Sequence, residues 1–265
     1  MIDVALCPSE IRRLSGTDLS GVTAVVFDVL RATSSMITAL GAGALEIYPV
    51  NSVEEARERK LKEPDLLLAG ERGGLPPPGF DLGNSPDEFE KTVGRKVVMT
   101  TTNGTIAIQS MRHASDVLVG ALLNVDALAN YLFPKQTEDL LLVCAGTEEE
   151  FSLEDAIAAG ALVARLAEDD RLSDSAILVR AIYERVGDDL EEWLRQTKNG
   201  KALQKIGKSS DIARCARLSI SDIIGRLWQG AVVRLEPQQI NSLSSQSRRF
   251  NLAAVRPCRI GTRSL

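Results

Sequence analysis

Six short, almost wholly apolar runs, each stopped by turn residues, recur through the first half of the chain: VTAVVFDV (22–29), LEIYPV (45–50), DLLLAGE (65–71), KVVMTTT (96–102), SDVLVGAL (115–122) and DLLLVCAG (139–146). Between them lie segments whose apolar residues fall at helical spacing: SVEEARERKL (52–61), NVDALANYLF (124–133) and LEDAIAAGALVARLAE (153–168). Strands that are apolar at every position need cover on both faces. The alternation therefore predicts an α/β fold, layered α/β/α around a largely buried sheet. Residues 171–230 read as mainly helical and amphipathic, as in DDLEEWLRQTKNGKAL and SDIARCARLSISDIIGRL. At 265 residues, 44% of them hydrophobic, the chain can close one core of this kind. The expected organisation is a single α/β catalytic domain over residues 1–235 and a partly irregular tail over 236–265. In that tail Ser, Gln and Arg replace core residues, and only AAVRPCRI offers an edge strand.

The plan occurs twice. Shifted by 72 residues, VVFDVLRATSSMITALGAGALEIYPV lies over VVMTTTNGTIAIQSMRHASDVLVGAL without a gap, with Val25 and Val26 over Val97 and Val98 and Thr33 over Thr105. Duplication of a β-loop-α-β unit would account for the match, and so would the common form of any two such units.

Composition removes several chemistries. A net charge of −5 argues against nucleic acid or an anionic membrane, which are bound through clustered Lys and Arg, and points to a small-molecule partner. The opening MIDVALCPSE has neither a basic start nor a signal-length apolar run, and no later segment is apolar for long enough to span a bilayer; the expected location is the cytoplasm. The four cysteines are far apart and read as free thiols. The chain has one histidine, His113, at the end of an expected helix, so a Ser-His-Asp triad or a multi-His zinc site has no material. Catalysis is expected to rest on carboxylates, hydroxyls, amides and Arg or Lys, around a hard cation that prefers oxygen. Self-association stays open, since 4% aromatic residues give no sign of a large aromatic interface.

Four polar clusters follow apolar runs, where α/β sheets bind ligands. The first holds Asp28, Arg31, Thr33 and Ser34. Asp28 is suited to a metal or a nucleophilic role and Arg31 to an anion, or else Asp28 and Thr33 cap a turn while Arg31 forms an ion pair. The second, AGERGGLPPPGFDLGNSP (69–86), is a stiff proline loop presenting Glu71, Arg72, Asp81 and Asn84. The third is Thr100 to Thr105, whose Thr102-Asn103-Gly104-Thr105 turn suits an anion and equally suits a plain Asn-Gly turn. The fourth, CAGTEEEFSLEDAIAAG (144–160), puts Glu154 and Asp155 in a first helical turn, where acids also stabilise the helix dipole. After Asp28 the spacing lacks the second acid of a D-x-D phosphatase, and Glu150 stands where a cysteine phosphatase starting at Cys144 needs arginine.

Together, in this order, FDVLRATS, GERGG with GFDLGNSP, TTTNGT, and CAG with FSLEDAIAAG resemble the 2-phosphosulfolactate phosphatases, over roughly residues 1–215. The resemblance implies a Mg²⁺-dependent phosphoric monoester hydrolase converting (R)-2-phospho-3-sulfolactate to 3-sulfolactate and phosphate in coenzyme M biosynthesis. It implies that Asp28, with Glu71 or Asp81, holds Mg²⁺, and that Asp28, Glu154 and Asp155 serve the chemistry. Arg31, Thr33, Arg72, Asn84 and the turn Thr102, Asn103, Gly104 and Thr105 would bind the small anionic phosphorylated substrate. The segment after Asp211 begins in the family's style and then diverges, which keeps two alternatives open: a phosphatase for a related phospho-acid, or a metal-dependent anion binder without catalysis.

Overall fold

The computed structural model describes residues 1–135, 139–166 and 171–235. Its strands are β1 (Ile2–Ala5), β2 (Val22–Phe27), β3 (Glu46–Pro49), β4 (Leu67–Gly70), β5 (Lys96–Thr100), β6 (Asp116–Gly120), β7 (Asp139–Cys144), β8 (Gly225–Trp228) and β9 (Ala231–Arg234). The α-helices are α1 (Pro8–Ser15), α2 (Ala32–Ala42), α3 (Val53–Lys62), α4 (Gly104–Ser110), α5 (Val125–Leu132), α6 (Leu153–Leu166), α7 (Asp174–Val186), α8 (Leu190–Gln196), α9 (Lys198–Lys205) and α10 (Ser209–Cys215). Every apolar run named above contains a strand. The expected tail, 236–265, lies outside the described residues.

The strands form one sheet in the order β1-β7-β2-β6-β8-β9-β3-β5-β4. Neighbours within β1-β7-β2-β6 are parallel, as are those within β3-β5-β4. The antiparallel hairpin β8–β9 joins the two blocks, running antiparallel to β6 on one side and β3 on the other. The two β-loop-α-β units interlock here, because the first strand of each pairs with the second strand of the other: β2 with β6, and β5 with β3.

Alternation along each strand sends side chains to opposite layers. Val25 and Phe27 pack with α5, α6 and α7 through Leu128, Ile157, Leu162 and Val179. Ala24 and Val26 face the other way, onto Met36, Ile37 and Leu40 of α2, Ile108 of α4 and Met111 just past its end. On β5, Val97 and Met99 join that second layer, while Val98 turns with Leu68 toward Ala56 of α3. Helices thus cover both faces, as the apolar strands require.

The helical reading of 171–230 needs correction at two places. Residues 188–203 hold two helices, because Thr197 ends α8 and caps α9, its hydroxyl accepting from Gly200 N at 3.0 Å. Beyond Cys215 the chain leaves the helix: Ser219 N and Ser221 N donate to Leu122 O and Leu123 O. It then enters the hairpin, whose two-residue loop Gln229-Gly230 has both φ angles positive (49° and 82°), the geometry that matches strand twist.

Candidate active site

Asp28 directly follows β2 and meets the start of α4. Its Oδ1 accepts from Ala32 N at 3.3 Å, and the Gly104 backbone donates to the same carboxylate. A Cβ at position 104 would lie 2.4 Å from Asp28 Oδ2 and 2.7 Å from the Ala32 methyl, so only glycine allows this approach. The two corresponding threonines, both fully buried, close their own turns. Thr33 Oγ1 accepts from Asp28 N at 3.0 Å and donates to Asp28 O at 2.8 Å. Thr105 Oγ1 accepts from Thr101 N at 3.0 Å and donates to Thr101 O at 3.3 Å.

Glu71 follows β4, where Gly70 must be glycine because a Cβ there would sit 1.9 Å from Thr100 O. Glu71 Oε1 accepts from both N and Oγ1 of Thr102, each at 2.8 Å, and Oε2 accepts from Gly74 N at 2.9 Å. From α6 come two more acids. Asp155 places Oδ1 on Val29 N (2.8 Å) and Oδ2 on Gly146 N (3.2 Å), stapling the ends of β2 and β7 together. Glu154, 1% exposed, accepts from Asn199 Nδ2 at 2.6 Å, and Asn199 also reaches Thr147 Oγ1.

Crowding of buried acids shifts their proton affinity. Burial, then the charges of Glu71 and Glu154, push Asp28 up to about 7. Burial, then Asp28 and Glu154, push Asp155 well above the usual carboxylate range. Burial raises Glu154 despite the hydrogen bonds from Asn199 and Thr197. Among the described residues no three His, Cys, Asp or Glu side chains converge as a ready-made metal cage. A cation could be held here by one or two carboxylates, with water and substrate oxygens completing its shell, which is how Mg²⁺ is usually bound.

The other expected residues divide. Arg72 is exposed beside the cluster, donating to Glu71 O at 2.6 Å and Thr100 Oγ1 at 3.0 Å, with Thr102 exposed and Asn103 half-buried nearby in sequence to Gly104. Arg31 is 2% exposed, with Nη1 on Asp211 Oδ2 (2.5 Å) and Nη2 on Gly74 O (2.7 Å). Asn84 is buried; its backbone carbonyl accepts from Ser35 Oγ, and its Oδ1 has no hydrogen-bond partner among the described residues. Asp81 is not brought into the cluster: Lys60 Nζ (2.7 Å) and Leu68 N (2.8 Å) hold its carboxylate, and it shares no partner with the other acids. His113 is exposed beyond the end of α4, and Cys144 is a buried strand thiol whose pKa burial raises.

The profile of the 2-phosphosulpholactate phosphatase family matches residues 9–230. The chain belongs to that family. A probable 2-phosphosulfolactate phosphatase of Thermotoga maritima is 40% identical over 238 residues, covering 89% of this chain and 99% of the relative. The corresponding proteins of Deinococcus radiodurans (43% over 211 residues, 78% and 88% coverage) and Carboxydothermus hydrogenoformans (38% over 236 residues, 88% and 96%) bear the same name. The family match runs past Asp211 through β8 to the hairpin turn, so it includes the helical segment α7–α10. Asn199 reaches Glu154 across 45 residues, Asp211 meets Arg31 across 180 and Ser85 meets Asp211 across 126, and no spacing pattern marks them.

Proposed function

We propose that this chain is a Mg²⁺-dependent phosphatase that hydrolyses (R)-2-phospho-3-sulfolactate to 3-sulfolactate and phosphate, as a step toward coenzyme M. The observation behind this reading is the set of buried Asp28, Glu154 and Asp155 with half-buried Glu71, and an exposed guanidinium beside it, in a chain of this family. Surplus buried acid is unfavourable for a polyanion unless a cation offsets it. Asp28 and Glu71 are the ligands best placed for that cation. Held by these two carboxylates, Mg²⁺ would offset the charge of the phosphoryl oxygens and the repulsion among the acids.

The protein's own groups divide the remaining work. Arg72, exposed Thr102 and half-buried Asn103 meet the sulfonate and carboxylate ends, since Arg31 already has its charge opposed by Asp211. Asp28, held at about 7 by burial and the charge of Glu71 without metal, would be ionised by the cation and present a carboxylate at the reacting phosphate. Glu154, oriented by Asn199, orients the attacking water. Asp155 is a positioning residue, because both its oxygens are committed to backbone N–H groups.

The test is phosphate release from 2-phosphosulfolactate by the purified protein, with Mg²⁺ and with a chelator. Release that stops on chelation is the expected result. A folded, Mg²⁺-loaded protein that releases none from this substrate would sink the reading.

A further inference from the structure

A line of contacts runs from α10 to the carboxylate cluster. Asp211 is 1% exposed; its Oδ1 accepts from Ser85 Oγ and its Oδ2 from Arg31 Nη1, each at 2.5 Å. Arg31 Nη2 donates to Gly74 O at 2.7 Å. Gly74 N in turn donates to Glu71 Oε2 at 2.9 Å, and Thr102 fixes the other oxygen. Gly74 has φ +83°, and a Cβ there would sit 2.7 Å from Ile206 Cδ1, so the peptide is pressed against the α9–α10 junction as well.

We propose that Asp211 is a positioning residue that acts through Arg31 and the Gly74 backbone to aim the Glu71 carboxylate at Asp28, with Ser85 fixing Asp211. The proposal rests on Glu71 being a cation ligand, as argued above. A guanidinium makes two bonds in fixed directions from one plane, so anchoring Nη1 sets where Nη2 points. A buried ion pair is a poor device for stability alone, because an apolar pair of similar volume often serves as well or better. Partners that orient a metal-binding carboxylate are worth about 10–100-fold in metal affinity or activity.

Three variants separate orientation from mere folding. Asp211→Asn keeps the shape and removes the charge; Arg31→Met with Asp211→Leu replaces the pair with an apolar one; Ser85→Ala removes only the hydroxyl. Each is measured by amide hydrogen exchange over residues 71–75 in chelator and by the Mg²⁺ concentration that half-saturates the rise in Tm. In Asp211→Asn and the double variant, exchange at Gly74 should rise about tenfold or more and the Mg²⁺ midpoint should increase about 10–100-fold, with smaller shifts in the same direction for Ser85→Ala. A folded double variant with wild-type exchange and a wild-type Mg²⁺ midpoint overturns the proposal. If Asp211→Asn does not fold, the other two variants decide. A wild-type protein whose Tm ignores Mg²⁺ overturns the cation reading of Glu71 itself, and the exchange measurement then decides the link from Asp211 to Glu71 alone.

Discussion

Asp28 sits where burial and the charge of Glu71 both favour its proton, and this has a defined effect on stability. Its folded value, about 7, lies above the ordinary 3.8. Between those limits the folded chain holds a proton that the unfolded chain has released, so stability falls as pH rises through this window. In chelator, Tm should therefore drop from pH 5 to pH 7.5, and Mg²⁺ should flatten the decline; a Tm that holds or rises without metal contradicts the arrangement. Asp28→Asn should remove the share of this pH dependence that belongs to Asp28, leaving that of buried Asp155 and Glu154, and raise Tm in chelator at pH 7.5, while lowering turnover at least ~100-fold, the usual worth of a key group. Retention of a tenth of the wild-type rate would take Asp28 out of the chemistry. Gly104→Ala tests the same carboxylate from the opposite side. Its methyl would enter at 2.4 Å from Asp28 Oδ2, so the variant should fold with a displaced α4 start and lose most activity in the phosphate-release assay. Sequence singled out both residues, since an acid after an apolar run and a glycine opening a helix are local signals. What the buried residues do was not legible, because Asp155 meets Val29 across 126 residues and Arg31 meets Asp211 across 180.

Short strands between helices were readable because each is apolar through and through, and their limits shifted by only a residue or two in the structure. The hairpin β8–β9 was masked by the helix-like spacing of Ile223, Ile224 and Leu227, although the Gln229-Gly230 turn between two apolar runs was a hairpin signal. At the helix starts, the 72-residue echo has a physical counterpart. Thr33 and Thr105 each hold the turn that brings a strand into a helix, with spans of five and four residues. Replacing either with valine preserves shape and strands a buried N–H, which should cost about 1–3 kcal/mol in urea unfolding. The kinetic effects should differ: Thr33→Val loosens the turn carrying Asp28 and should depress kcat, whereas Thr105→Val loosens the turn carrying Thr102 and should mainly raise KM. Equal effects on kcat from both variants would contradict the assignment of the first turn to the reacting phosphate and the second to substrate binding.

On the scale of the whole molecule, the site lies where the two parallel blocks meet. Asp28 and Asp155 belong to the block containing β2 and β7, and Glu71 and Thr102 to the block containing β4 and β5. Mutual repulsion among these acids pushes the blocks apart, while the crossovers β2–α2–β3 and β5–α4–β6 and the β8–β9 hairpin hold them together. Val232 stands at the seam, fully buried, paired with Leu227 on one side and Ile47 on the other. If the blocks fold as one cooperative unit, the slowest-exchanging amides of β5 and β7 report the same global opening. Val232→Ala removes two buried methyl groups and leaves a small cavity, a loss of about 2 kcal/mol. Native-state hydrogen exchange should then show protection falling by the same amount, roughly 30-fold for that free energy, in both strands, although β7 lies far from the seam in strand order. A loss confined to β3, β5 and β4 would mean that the smaller block opens alone. In that case Glu71 would leave Asp28 without global unfolding, and activity would be lost at denaturant concentrations well below the main transition.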